Sequence, residues 1–257
     1  MAPSRRQWLQ SAGLVAGGLL VETLRPQGAA AADGLEAEAS PMPTAEPLEQ
    51  RLQVCSPHGE SLKELLRRNR SFSESWQAAE RSGDPGERAR LIRAASPVNC
   101  QIRPDALAQG QRPWASVLCC ADSRVAPEWI FSSGPGELFE IRSAGNTAFD
   151  AGIASLEYSV AELAVPLILV MGHSGCGAVT AAMASDPLTP LLEDLVAPIR
   201  ASLRPGMDLA RAVKASTAAA ARGLQDRSDL LRQAVEERRL TIQPAYFDIA
   251  SGRVSLI

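Results

Sequence analysis

Two stretches, VLCCADSRV (Val117–Val125) and LILVMGHSGCGAV (Leu167–Val179), constrain the fold more than any other part of the chain. Each is a continuous apolar run that stops abruptly at a cysteine or histidine and gives way to glycine and charge. A strand with no polar face has to be covered on both sides, which points to a parallel sheet sandwiched between helices. The neighbouring pattern agrees. ELFEIR (Glu137–Arg142) reads as another strand, AGIASLEYSVAELA (Ala151–Ala164) has helical spacing, and LTIQPAYFDIASGRVSLI (Leu240–Ile257) reads as two strands about a Ser-Gly turn. In SPHGESLKELLRRNRSFSESWQAAERS, Leu62, Leu65, Leu66, Phe72 and Trp76 recur at helical spacing, with Ser56 as the expected cap and Pro57 behind it. The expected architecture is α/β: an open, mainly parallel sheet flanked by helices, with an N-terminal helical arm and C-terminal edge strands. Asp186, Pro187, Pro190, Pro198 and RPGMD are expected to punctuate the helices after the second motif.

The 257 residues, 46% hydrophobic and 21% charged, suit one globular domain with appendages. A formal charge of -3 gives no reason to expect nucleic acid or an anionic membrane as partner, so a small-molecule substrate is the expectation. Residues 1–32 open with Arg5 and Arg6, continue through a modest apolar run and end in alanines, as a cleaved twin-arginine signal does. That run is broken by Gln10, Glu22 and glycines, so no stable membrane span is expected after cleavage. Residues 33–55 read as a flexible linker and 56–257 as the folded domain. Export to a periplasm, or to a thylakoid lumen in a cyanobacterial host, places five cysteines in an oxidising compartment.

In an open α/β sheet, ligands sit beyond the carboxyl ends of the strands. The first motif delivers Cys120, Asp122 and Arg124 there, and the second delivers His173 and Cys176. Two thiolates and an imidazole make a zinc set whose fourth position is open or held by a carboxylate. Gly172, Gly175 and Gly177 are expected to let the backbone fold closely about the metal and enter a helix. Cys119 must face away from Cys120 by the strand period and is assigned to the core; His58 is given no role. Asp122 and Arg124 are expected to pair. Paired, Asp122 leaves the fourth metal position to water; released, it ligates the metal itself.

These residues resemble the β-class carbonic anhydrases. CADSRV (Cys120–Val125) and GHSGCGAV (Gly172–Val179) are similar to that family's two zinc motifs, and SLKELLRRNRSF, GELFEIRSAGN, SLEYSV and AYFDIASGRVSLI extend the likeness over about residues 60–257. The resemblance implies reversible hydration of carbon dioxide to bicarbonate and a proton by a zinc-bound hydroxide. It implies zinc on Cys120, His173 and Cys176, with Asp122 and Arg124 as a gating dyad and Asp122 a ligand in the closed state only. It further implies Gln111, Phe139, Tyr158 and Gly177 as substrate-binding positions, the aromatic pair acting across the interface of a homodimer or dimer-based oligomer. Ser143 and Glu140 depart from the family pattern, and Ser185–Ser228 matches loosely. Hydrolysis of carbon disulfide or carbonyl sulfide by the same centre stays open at this level, because sequence shows no pocket width. Cys55 and Cys100 are left over and are expected to form a disulfide that pins the N-terminal arm.

Overall fold

The structure, a computed structural model, describes residues 46–95, 100 and 102–257. The expected signal (1–32) and most of the expected linker lie outside the described residues. In chain order the elements are α1 (Leu48–Gln53), α2 (Ser61–Arg81), α3 (Pro85–Ala94), α4 (Pro104–Leu107), β1 (Ala115–Cys120), α5 (Pro127–Ile130) and β2 (Leu138–Ser143). There follow a short 3-10 turn (Ala144–Asn146), α6 (Asp150–Ala161), β3 (Leu167–His173), α7 (Gly177–Met183), α8 (Pro190–Ser202), α9 (Leu209–Arg227), α10 (Asp229–Glu236), β4 (Thr241–Asp248) and β5 (Arg253–Leu256). No helix among the described residues is long and apolar enough to cross a membrane.

The five strands run in the order β2-β1-β3-β4-β5, with the first three pairings parallel and β4–β5 antiparallel. This is the expected architecture, with the hairpin as one edge. Every residue of β1 and β3 is buried, as continuous apolar runs demand. One face packs Val117, Cys119, Leu169 and Met171 against Leu65 and Phe72 of α2; the other packs Leu118, Ile168 and Val170 against Leu156 of α6 and Leu224 of α9. Cys119 is therefore a core residue, and burial pushes its thiol up to about 12.

The arm helix α2 is anchored by polar groups that periodicity does not reveal. Asn69 is 2% exposed; its amide nitrogen donates to Gly252 O at 2.9 Å and its amide oxygen accepts from Val254 N at 2.8 Å, so one side chain completes the hairpin's backbone bonding. Trp76 Nε1 donates to Ile249 O at 3.0 Å. Glu137, 1% exposed, accepts from Arg68 Nη1 at 2.8 Å, Trp114 Nε1 at 3.2 Å and Gly134 N at 2.7 Å, which satisfies a buried charge and ties α2 to the strand entrances.

Four local expectations need correction. α2 begins at Ser61 with Glu60 at its cap, so Ser56 and Pro57 precede the helix instead of capping it. The segment read as linker to residue 55 ends in α1, whose Leu52 is buried against Cys55, Ile102 and Ala106. Pro198 lies inside α8 rather than ending it, whereas Pro190 opens that helix, where its missing N–H costs nothing. Gly172 is small because of α9: a Cβ there would stand 2.1 Å from Thr217 Oγ1 and 2.9 Å from Val213 Cγ1.

Candidate metal centre

β1 and β3 are neighbours in the sheet, so their carboxyl ends lie side by side. β1 ends at Cys120 and β3 at His173; the chain then turns through Gly175, at φ +66°, to place Cys176 at the start of α7. A positive φ is the conformation glycine adopts without strain, so Gly175 is required by the turn. Nothing lies within 4 Å of the point where a Cβ on Gly177 would sit, so no steric demand falls on that position.

The ligand atoms of Cys120, His173 and Cys176 lie within 4.8 Å of one another, and all three residues are buried. His173 Nδ1 sits 3.0 Å from Ser174 O, which makes Nδ1 the protonated nitrogen and turns the lone pair of Nε2 toward the thiols. Nε2 has no hydrogen-bond partner among the described residues although the ring is fully buried. Ser174 is itself fixed, donating from N to Phe247 O and accepting at Oγ from Ile249 N, both at 2.9 Å.

The two sulfurs face each other and pull each other's protonation in opposite directions. Cys120 is held well below the usual thiol range by its hydrogen bond with Cys176, helped by His173 and by Gly145 N, which donates to its sulfur at 3.2 Å. Cys176, facing that thiolate in a buried setting, is pushed far up. Two buried sulfurs facing a buried imidazole nitrogen that has no hydrogen-bond partner among the described residues make a donor set that calls for a cation. Zinc(II) fits it in ligand type and number.

Asp122 and Arg124 form the expected pair. Arg124 Nε donates to Oδ1 at 2.9 Å and Nη2 to Oδ2 at 2.7 Å, and this guanidinium holds the carboxyl well below the usual carboxylate range. Arg124 Nη2 also reaches Gly175 O at 3.2 Å, joining the two motif loops. Asp122 Oδ2 lies 3.9 Å from His173 Nε2, beside the three ligands but engaged elsewhere.

Two contributors escape the sequence reading. Arg142, at the end of β2, donates to Cys120 O (3.2 and 3.1 Å), Asp122 O (3.0 Å) and Val125 O (2.5 Å), clamping the first motif by its backbone. Gly145, at φ +76°, brings its N–H to Cys120; a Cβ there would meet Ile199 Cδ1 at 2.6 Å. A cation at the carboxyl end of a strand beside the first motif was the available signal for Arg142. Ser143, the departure noted beside it, bonds Thr147 Oγ1 at 3.0 Å.

The substrate-binding positions divide. Phe139 and Tyr158 meet, with ring centroids 6.3 Å apart, and Tyr158 is 48% exposed. Phe139 pairs with Ser116, however, four residues upstream of Cys120, which is about 13 Å along a strand. Gln111 is exposed in the segment entering β1, also at the end away from Cys120. Within one chain these residues lie at the opposite end of the strands from the three ligands.

Comparison with known proteins agrees with this site. The family model described as carbonic anhydrase matches residues 115–254. Carbonic anhydrase 2 of Mycobacterium tuberculosis (strain ATCC 25618 / H37Rv) is 53% identical over 79 residues, 31% of this chain and only 38% of that protein's length. The carbonic anhydrase of Mycolicibacterium smegmatis is 35% identical over 165 residues, covering 60% of this chain and 79% of the relative. Among solved structures, a tetrameric β-carbonic anhydrase of Sordaria macrospora superposes with a TM-score of 0.55 at 26% identity, over 60% of this chain and 84% of that one. Both motifs that carry Cys120, His173 and Cys176, the strand ends that bear them and the helices between lie inside the matched span, and the chain belongs to the carbonic anhydrase family, with the fold of its β-class.

Proposed function

We propose that the protein catalyses the reversible hydration of carbon dioxide to bicarbonate and a proton, with zinc held by Cys120, His173 and Cys176. The observation that carries this reading is the buried Nε2 of His173, without a hydrogen-bond partner among the described residues and beside two buried thiols. When bound, zinc brings the pKa of water down to about 7 and so supplies a nucleophile at neutral pH. The chain supplies the rest. Arg124 keeps Asp122 ionised and drawn away from the three residues that would hold zinc, and Asp122 Oδ2, 3.9 Å from His173 Nε2, could accept a hydrogen bond from the reacting water. Released from Arg124, Asp122 would be near enough to join the three residues as a further ligand and close the site.

Gln111, Phe139 and Tyr158 are the proposed substrate contacts. Their place at the far end of the strands favours a homodimer or dimer-based oligomer in which a second copy presents them to the metal. The aromatic pair supplies an apolar wall for a linear, uncharged substrate, and the Gln111 amide donates to the oxygen on which charge develops. The leading Arg5-Arg6 segment is proposed to direct export of the folded, metal-loaded chain, tested by fractionating cells that express Arg5→Lys/Arg6→Lys protein.

Stopped-flow carbon dioxide hydration on protein of measured zinc content tests the activity. The expected result is a rate far above buffer that falls steeply in Asp122→Ala. A zinc-loaded wild type no faster than buffer removes the assignment.

A further inference from the structure

Apart from the two sheet cores, the chain contains a small separate cluster in which Leu52 of α1, Cys55, Ile102 and Ala106 are buried together, with Leu48, Cys100 and Leu107 packed around them. Cys55 and Cys100 are joined in a disulfide, the pairing expected from the sequence. Arg51 Nη1 of α1 adds an ion pair to Asp105 Oδ2 at 2.8 Å. A helix of six residues does not persist by itself, so α1 depends on these attachments.

What α1 touches gives the cluster its meaning. Leu52 Cδ1 lies 3.6 Å from where a Cβ on Gly110 would be, and so rests against that backbone. Arg112 is gripped from the same helix. Glu49 Oε2 is 3.5 Å from its Nη1, and with the Gln53 amide turned so that its oxygen faces these donors, that oxygen accepts from Nε, Nη1 and Nη2 at 2.6, 3.2 and 2.8 Å. α1 thus holds the residue on each side of Gln111 and leaves the Gln111 side chain exposed. The disulfide borders a cavity of about 610 Å³, also lined by Val54, His58 and Lys63, which is wide enough to admit a small thiol.

We propose that α1, locked by Cys55–Cys100, is a thiol-sensitive strap that positions Gln111, with Arg112 as the positioning residue through which it acts. The proposal rests on the substrate-binding role given to Gln111 above. The reductant is a dithiol. Its thiolate attacks one sulfur of the pair, breaking the Cys55–Cys100 bond and forming a mixed disulfide; its second thiol then displaces the protein sulfur. Cys55 and Cys100 end as two thiols, having gained two electrons and two protons, and the dithiol ends as a disulfide. With the covalent tie gone, α1 loses its anchor and the segment at 110–112 is released.

The test uses full-length, zinc-loaded protein in three forms: oxidised, reduced with dithiothreitol, and Cys55→Ser/Cys100→Ser, which needs no reductant. Amide hydrogen exchange is read at 104–113, alongside kcat and KM for carbon dioxide hydration and zinc content. The expected result is exchange at 104–113 about tenfold faster in the reduced and double-serine forms, with β1 and β3 unchanged and zinc retained. Catalytic efficiency is expected to fall in both forms, with no further fall when the Gln111→Ala variant is reduced. Arg112→Ala is expected to reproduce the fall without reductant, and Arg112→Lys to rescue it in part.

Unchanged exchange after verified reduction overturns the strap. So does an equal loss of activity on reducing wild type and Gln111→Ala, because the disulfide would then act elsewhere. An oxidised, zinc-loaded wild type without activity overturns the proposed reaction instead, and the exchange measurement still decides whether α1 restrains 110–112.

Discussion

The guanidinium of Arg142 donates twice to the carbonyl oxygen of Cys120, and the same group reaches the carbonyls of Asp122 and Val125. One side chain on β2 thereby fixes the path of the backbone that carries the candidate ligand Cys120 and the neighbouring carboxylate of Asp122. Loss of an outer-shell partner of this kind weakens metal binding by about 10–100-fold. Arg142→Ala is expected to fall in that range in a competition titration with a zinc chelator. Arg142→Lys, which cannot span three carbonyls, is expected to recover little. Wild-type zinc affinity in Arg142→Ala refutes the clamp.

Arg124 restrains Asp122, so its removal is expected to have a consequence opposite to that of removing Asp122. In Arg124→Ala the carboxylate, 3.9 Å from His173 Nε2, is free to complete the ligand set. Activity is expected to fall with zinc dissociating more slowly than from wild type, whereas Asp122→Ala loses activity with no such slowing. Faster zinc loss from Arg124→Ala contradicts the assignment.

Without a metal, His173 Nε2 is buried with no hydrogen-bond partner among the described residues and two sulfurs face each other. A ligand bound only by the folded state at a thousandfold excess over its Kd adds about 4 kcal/mol. Thermal unfolding with and without a strong zinc chelator is expected to show a clear fall in Tm, abolished in His173→Ala. An unchanged Tm in wild type means the three residues bind no metal.

Glu140 departs from the apolar pattern of its strand, and burial, with repulsion and a hydrogen bond from Glu128, pushes its carboxyl up to about 7. The folded state therefore binds the Glu140 proton more tightly than the unfolded state, whose carboxyl titrates near 4.5. The associated stability is fully present below about 4.5 and is lost as pH rises to about 7. Partial exposure limits the effect to about 1–3 kcal/mol. Glu140→Gln is expected to be more stable than wild type at pH 8, with the advantage gone at pH 4.5, in denaturant titrations. An equal difference at both pH values rules out this ionisation as the cause.

Gly172 and Gly177 flank the same motif and are expected to respond differently to alanine. At Gly172 the added methyl collides with Thr217 and Val213, an overpacking cost of about 1–3 kcal/mol. At Gly177 it meets open space and α7 gains helix propensity, so stability is expected to hold or rise by up to about 1 kcal/mol. Equal destabilisation in urea titrations contradicts the packing argument.

The strand pattern and the ligands were legible because both are local. The apolar runs of β1 and β3 announce burial on two faces, and the polar residues that end them fall where a parallel sheet exposes its carboxyl ends. The Asp122–Arg124 pair is equally local, two residues apart on one turn. Asn69, Arg142 and Glu137 were not legible, since each bonds backbone or side-chain atoms brought to it only by tertiary packing. α1 was hidden for a related reason: six residues rich in charge have no apolar period of their own, and their order comes from Cys100, Asp105 and Arg112, far along the chain. Gly172 was assigned to the metal because it adjoins a ligand, when the constraint comes from a helix about forty residues later.

Cys120 and His173 stand about fifty residues apart and meet only where β1 lies alongside β3. A nascent chain that has not yet made β3 has one sulfur and no imidazole to offer, and parallel pairing at such separation is a slow, late event in folding. A chain that held an ion on Cys120, His173 and Cys176 would therefore have its two central strands already zipped together.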